Sequence, residues 1–253
     1  MSERTNERQG RLQGDVRIEH DSLGDKAVPA AALWGVQTQR AVENYPISGL
    51  HAHPALIQAT MLVKKAAALT NRDTGRLDAR LAGAIVQAAD EVLAGQWRDQ
   101  FVVDVYQAGA GTSHNMNANE VLANRAAELL GGKRGDATLV SPNDHVNMAQ
   151  STNDTFPTEM RLATLLMLDE TLPALEALSA AFAAKGREFD HIVKSGRTHL
   201  QDATPIRLGQ EFAAYALTLR RDAGRLRASR ESLYELNIGG TAVGTGLNAE
   251  PAY

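Results

Sequence analysis

The chain has 253 residues, of which 43% are hydrophobic and 22% are charged, and its formal net charge at pH 7 is −4. This composition fits a globular protein with a sizeable core, and the mild acidity argues against nucleic acid as a partner. The absence of cysteine excludes disulfides and thiolate metal sites. No apolar run approaches the ~20 residues needed to cross a bilayer, so no membrane partner is expected.

The N-terminal segment, residues 1–14, is polar and mixed in charge, without the apolar stretch of a signal peptide. It predicts a disordered tail. Because no targeting signal is present, the cytoplasm is the expected location. Residues 17–19 are predicted to pair locally as a strand.

Two short amphipathic helices are predicted next. The first begins at Pro54 and ends within residues 71–75, because apolar residues repeat between them at steps of three and four: Leu56, Ala59, Val63, Ala66 and Ala67. The second has one apolar face followed by a glycine that suits a C-terminal cap: Leu81, Ile85, Ala88, Val92 and Gly95. Residues 101–106, rich in valine and aromatic residues, are the strongest strand candidate.

A glycine-rich loop at residues 109–117, GAGTSHNMN, precedes a helix predicted at residues 120–130. Glycines let a backbone approach a ligand closely, and a helix N-terminus attracts anions. Thr112, Ser113 and Asn115 add side-chain donors. The pattern therefore indicates either a carboxylate or phosphate site or a capped helix start after a glycine turn.

A second polar loop, QSTNDTFP at residues 150–157, contains five consecutive residues that can cap a helix, and Pro157 suits the first helical position. One cap needs one such residue. The excess indicates either hydrogen bonding to an anion or a generously capped helix.

Two long helices are predicted in the last hundred residues. One covers about residues 157–188, where Pro173 is expected to cause a kink. The other carries an apolar stripe from Leu208 to Leu236 and is about 40 Å long. Helices of this length suit a bundle and need neighbours to cover their stripes.

A third polar loop, residues 195–205, separates these long helices. It holds Arg197, Thr198, His199, Gln201 and Asp202. Histidine exchanges protons near neutral pH, so His199 is a candidate proton carrier, although a lone loop histidine is usually a surface residue. None of the three loops has metal-ligand spacing or a phosphate-binding glycine motif.

Taken together, the segments GAGTSHNMNANEVLANRAAELLGG, SPNDHVNMAQSTNDTFPTEMR and GRTHLQDATPIRLGQEF resemble the aspartase/fumarase superfamily, in the same order and at compatible spacing. RIEHDSLGDKAVPAAALWGVQTQRAVENYPISG and NIGGTAVGTGLN add to the resemblance, which covers residues 15–253. DQFVVDVYQ and QSTND are most similar to the aspartase branch, whereas WGVQTQR is closer to fumarases.

The resemblance implies a mainly α fold. Residues 15–155 correspond to an N-terminal mixed helical domain, and residues 156–253 to the first part of a central helical bundle. Family members remove ammonia or water across a Cα–Cβ bond to give fumarate, through an aci-carboxylate intermediate that hydrogen-bond donors stabilise. By motif match, Thr112, Ser151 and Thr152 hold the β-carboxylate. Asn153, Thr198 and His199 face the amino group, with Thr198 and His199 counted as catalytic. No cofactor is implied.

The resemblance also implies a homotetramer whose sites combine loops from three subunits. The family's proton-abstracting serine lies on a GSSxMPxKxN loop, which has no match here. We therefore expect residues 1–253 alone to lack lyase activity. Two alternatives remain open: a fumarate hydratase acting on malate, and a truncated, non-catalytic subunit.

Overall fold

A computed structural model describes residues 15–253, so the tail predicted at residues 1–14 lies outside the described residues. The described part is mainly α, which confirms the predicted fold class. The described residues divide into two compact units, one formed by the residues up to Met160 with Asn237–Tyr253 and the other by Arg161–Leu236. The last segment, Asn237–Tyr253, groups with the first unit, and the domain boundary at residue 155 stays a prediction.

The first unit contains a β-hairpin and several helices. Strands β1 (Val16–Asp21) and β2 (Gly24–Pro29) pair antiparallel, which confirms the local pairing predicted for residues 17–19. The helices are α1 (Val36–Asn44), α2 (Pro54–Asp73), α3 (Ala79–Leu93), α4 (Thr112–Leu129) and the start of α5 (Thr152–Glu188). Short 3-10 and π-helical turns lie at Arg98–Gln100 and Pro142–Val146.

The core of the first unit lies where α2, α3 and α4 pack together. Helices α2 and α3 confirm the two short helices of the sequence analysis. His53 Nδ1 caps α2 by accepting from the Ala55 N–H at 3.1 Å. Gly95 follows α3 with φ of +99°, the left-handed conformation expected of a glycine beyond a helix end. Completely buried side chains include Met61, Ile85, Val121 and Leu122.

Helices α4 and α5 both begin earlier than the sequence predicts. The first starts at Thr112 rather than residue 120, because its polar side chains are buried and find partners: Asn117, for example, bonds to the Val102 N–H and to the Gln100 carbonyl, both at 2.9 Å. The second starts at Thr152, so Pro157 lies inside it rather than at its first position.

Residues 101–106 do not form the predicted strand. Side chains satisfy several backbone groups of this segment and of the loop beside it, and the Val105 N–H donates to the Leu50 carbonyl at 3.1 Å. The Asp104 carboxylate accepts from the backbone N–H groups of Ser48, Gly49 and Tyr106 at 2.7–2.8 Å. The strand prediction was therefore wrong, because the valine-rich composition does not show where these hydrogen bonds go.

The second unit is a long helical hairpin. Helix α5 continues through Pro173 to Glu188, and α6 (Leu208–Leu233) ends three residues before the predicted stripe does. Leu168, Leu172 and Ala223 form a small buried cluster. The loop predicted at residues 195–205 is instead a β-hairpin of β3 (Val193–Thr198) and β4 (Gln201–Arg207). The kink at Pro173 stays a prediction.

Candidate functional site

The N-termini of α4 and α5 lie side by side in the first unit. Gly111, just before α4, has φ of +89°, and a Cβ atom on it would lie 2.3 Å from the Phe156 ring of α5. Only glycine therefore fits this contact. Thr112 is the first residue of α4 and is exposed, and Gly111 offers no side chain to cap it.

One hydrogen bond joins the first two predicted loops. Asn115, three residues after Thr112, donates from Nδ2 to Thr152 Oγ1 at 3.1 Å. The hydroxyl of Thr152 is thus held beside the start of α4. Both helix N-termini carry partial positive charge, which favours a carboxylate or phosphate nearby, although the His114 N–H in the first turn of α4 already donates to Gln107 Oε1 at 2.7 Å.

Ser151 caps helix α5. Its Oγ accepts from the Asn153 N–H at 3.3 Å, while Asp154 accepts from the Ser151 N–H at 2.9 Å. The Ser151 hydroxyl thus satisfies one unpaired N–H in the first turn of α5, and the Asp154 carboxylate satisfies the N–H that precedes the helix. Some of the polar side chains in residues 150–157 therefore cap helix α5. The Ser151 hydroxyl takes part in this cap as an acceptor, so the cap does not use its hydrogen.

Asn153 connects the start of α5 with the last segment of the chain. Its side chain donates to the Ala242 carbonyl at 2.7 Å, and its own carbonyl accepts from Asn237 Nδ2 at 3.0 Å. Pro157 has no N–H to bond that carbonyl, so Asn237 supplies the missing donor. Asp154 accepts from the N–H groups of Gly239 and Thr241 at 3.1 and 2.8 Å.

Thr198 and His199 belong to the second unit. Thr198 ends β3, and His199 and Leu200 form the turn between the two strands, with φ of +48° and +63°. A tight hairpin requires such angles, but glycine or asparagine usually adopts them. This turn exposes both Thr198 and His199. A strained non-glycine turn of this kind is typical of functional sites.

The sequence analysis missed Lys64, which lies among polar side chains near the starts of α4 and α5. It is completely buried, and its Nζ donates to Asn115 Oδ1 at 2.6 Å, Asn147 Oδ1 at 3.0 Å and Gln150 Oε1 at 2.9 Å. The signal in the sequence is its place on the inner face of α2, three residues after buried Met61. A lysine on an apolar face requires an explanation.

Burial shifts the pKa values of Lys64 and of the ionisable groups around it. Burial lowers the pKa of Lys64 to about 8, although the charges of Glu159 and Asp154 oppose this shift. Burial and the Lys64 charge lower the pKa of His114 to about 4. Burial raises the pKa of Glu159. His114 Nε2 lies 3.9 Å from Glu159 Oε2, but a neutral imidazole forms no ion pair there at pH 7.

A cleft of about 650 Å³ lies elsewhere in the first unit. It is lined by Asp21, Arg40, Ser113, Glu120 and Asn143 among others, and by none of the six predicted site residues. Arg40 is already paired with Asp21 at 3.0 Å. The cleft therefore gives no independent support to the predicted site.

Across residues 15–253, no group of three or more His, Asp or Glu side chains is arranged to hold a metal ion. None of the helices that the structure describes combines the length and apolarity required to cross a bilayer.

A family model described as lyase matches residues 24–253. Among curated proteins, an aspartate ammonia-lyase of Bacillus subtilis is 56% identical over 241 residues, which are 95% of this chain and 51% of the relative. A class II fumarate hydratase of Halobacterium salinarum is 56% identical over 243 residues, 96% of this chain and 52% of the relative. The chain thus spans about half the length of the curated relatives it matches.

Solved structures show the same similarity. A fumarate lyase:delta crystallin from Brucella melitensis, bound to cobalt, superposes with a TM-score of 0.88 at 54% identity, over 94% of this chain and 52% of that one. A class II fumarase from Schistosoma mansoni gives 0.82 at 39% identity, over 94% and 50%. Among the curated relatives, by contrast, an aspartate ammonia-lyase and a fumarate hydratase are equally similar to this chain, at 56% identity.

Proposed function

Because this chain belongs to the lyase family whose model matches residues 24–253, we propose that it supplies the carboxylate-binding part of a site that eliminates ammonia from L-aspartate to give fumarate. The observation that carries the proposal is the hydrogen bond between Asn115 and Thr152. It holds a hydroxyl from the second predicted loop beside the helix start that carries Thr112.

The difficult step of this reaction is removal of a proton from the carbon beside the β-carboxylate. The electrons left behind move into that carboxylate, which gains negative charge as an aci-carboxylate. Donors fixed in advance stabilise this charge, and a single one contributes about 3 kcal/mol. Thr112, Ser151 and Thr152 offer hydroxyl donors at two helix N-termini, where the helix dipoles add positive potential.

The leaving ammonia requires groups of a different kind. In the proposed site Asn153, Thr198 and His199 face the substrate's amino group. The His199 imidazole exchanges a proton with that amino group, not with the carbon. The strained turn that exposes His199 supports this role. Thr198 and His199 belong to another compact unit than the carboxylate donors. The proposal includes a homotetramer in which loops of several subunits form one site.

The competing function is hydration of fumarate to malate. The fumarate hydratase of Halobacterium salinarum is as similar to this chain as the aspartate ammonia-lyase of Bacillus subtilis, so the residues that distinguish ammonia from water decide between them. The sequence favours the ammonia-lyase through its DQFVVDVYQ and QSTND segments.

The test is to incubate the complete gene product that contains this chain with L-aspartate and with L-malate in parallel. Fumarate formation is followed by ultraviolet absorbance. We expect turnover of aspartate, with malate reacting at least about a hundredfold more slowly, since a site built to bond one leaving group rejects the other strongly. Turnover of malate alone would establish the competing function, and turnover of neither would contradict the family chemistry itself.

A further inference from the structure

The Nζ group of Lys64 donates all three of its hydrogens to side-chain amides. An ammonium group has three donors and no acceptor, and the three acceptors here are Asn115, Asn147 and Gln150. No carboxylate touches it in the described residues, although Glu159 and Asp154 on α5 and His114 on α4 act on it electrostatically. Burial of a charge without a bonded carboxylate is costly, which indicates a purpose other than stability.

The three contacts fix how the amides are oriented. Because Lys64 can only donate, Asn115 must turn Oδ1 towards it and Nδ2 away. That Nδ2 then donates to Thr152 Oγ1 at 3.1 Å and to Asn147 Oδ1 at 3.2 Å. Thr152 therefore accepts a hydrogen bond from the protein, and its own hydroxyl hydrogen is left for another acceptor.

We propose that Lys64 is a positioning residue for the dicarboxylate: acting through Asn115, it makes the Thr152 hydroxyl a donor towards the substrate carboxylate. This inference rests on the proposed function, because it requires that Thr152 binds a carboxylate. Lys64 does not touch the substrate and is not a catalytic residue. Without Lys64, the Asn115 amide is free to reverse. Its Oδ1 then accepts the Thr152 hydrogen, and Thr152 turns a lone pair towards the incoming carboxylate.

The test compares four forms of the complete gene product: the unchanged protein, Lys64→Met, Thr152→Val and the double variant. Methionine keeps the apolar length of lysine and removes its donors. The readouts are the Kd of succinate, a dicarboxylate that cannot react, and the kcat and KM of the reacting substrate. We expect each single variant to bind succinate about tenfold to a hundredfold more weakly, the range for a hydrogen bond to a charged group.

The double variant separates positioning from a structural effect. If Lys64 acts through the Thr152 hydroxyl, Lys64→Met causes no further loss of succinate affinity once Thr152 is valine. A general disturbance of the fold would instead weaken binding by the same factor in both backgrounds. Additive losses would therefore overturn the proposal.

A second variant keeps the test decisive if Lys64→Met does not fold. Asn115→Asp retains the contact with Lys64 as an ion pair but presents an oxygen to Thr152. We expect the same loss of succinate affinity in the unchanged background and none in the Thr152→Val background. The matched control is Lys65→Met, the next residue of α2, which pairs with Asp90 at 2.6 Å away from the site and should leave affinity unchanged.

The outcomes distinguish the two levels of inference. If Thr152→Val weakens succinate binding while Lys64→Met and Asn115→Asp do not, the positioning role is wrong and the proposed function stands. If the unchanged protein neither binds succinate nor forms fumarate, the proposed function is wrong, and the positioning role that rests on it is wrong as well.

Discussion

His114 shows how the surroundings of one side chain set its charge. It lies between Phe101 and Phe156, with ring centroids 6.4 and 5.9 Å away, and is almost completely buried. Nε2 is 2.9 Å from Thr60 Oγ1, which also donates to Glu159. An apolar enclosure disfavours the imidazolium, so the ring stays neutral at pH 7.

We expect this histidine to make the protein less stable in acid. Its pKa is about 4 in the folded chain and about 6.5 unfolded, so between these values the unfolded state binds more protons. The contribution is complete above pH 6.5 and is lost as pH falls towards 4, by up to roughly 3 kcal/mol. Urea unfolding at pH 7 and pH 5 measures it, with His114→Gln as the variant that does not titrate.

The comparison with His114→Gln also removes the effect of Glu159, whose raised pKa acts in the opposite direction by favouring the folded state in acid. An equal change of stability between pH 7 and pH 5 in both proteins would show that His114 is not the group responsible.

At the scale of elements, the hairpin of α5 and α6 depends on a close approach between two glycines. A Cβ atom on Gly209 would lie 2.3 Å from the Gly186 carbonyl oxygen and 2.6 Å from Asp190 Cα. No side chain fits there without moving the backbone. The position therefore requires glycine for packing and not for flexibility.

Gly209→Val is expected to destabilise the protein by about 1–3 kcal/mol or more, because overpacking forces backbone shifts. Gly224 provides the control on the same helix, since a Cβ atom there meets nothing within 4 Å. Gly224→Ala should raise stability by about 0.5–1 kcal/mol through its better helix propensity. Unfolding by urea, followed by circular dichroism, compares them; similar midpoints for the two variants would refute the packing argument.

The apolar repeats were enough to predict α2 and α3, because burial of one face determines such helices. The start of α4 was not predictable, since Asn115 and Asn117 look like loop residues until their distant partners are known. Lys64 escaped notice for the same reason: its acceptors lie fifty or more positions away in the chain. In the candidate site, motif similarity predicted Thr112, Ser151 and Thr152, but not the buried Asn115 amide that bonds to Thr152.

At the scale of the whole molecule, the chain corresponds to about half of its curated relatives, 51% of the Bacillus subtilis protein. Thr112, Ser151, Thr152 and Asn153 belong to one compact unit, and Thr198 and His199 to the other. The proposed reaction also needs a base that removes the carbon-bound proton, and the family's serine loop has no match in residues 1–253.

We therefore expect residues 1–253, expressed by themselves, to form no fumarate from L-aspartate above the uncatalysed rate. Purified chain is assayed by ultraviolet absorbance beside the full-length aspartate ammonia-lyase of Bacillus subtilis as the positive control. Turnover comparable to that control would mean that another residue of this chain acts as the base.

The hydrogen bonds from Asn237, Gly239 and Thr241 to the start of α5 have a consequence for biosynthesis. A ribosome delivers residues 153 and 154 long before it delivers these partners, and the whole of Arg161–Leu236 emerges in between. Domains usually fold during translation with the N-terminal domain first. The first unit departs from this order, because part of it is synthesised only after the second unit. The hydrogen bonds at the start of α5 can form only after the hairpin of long helices has left the exit tunnel.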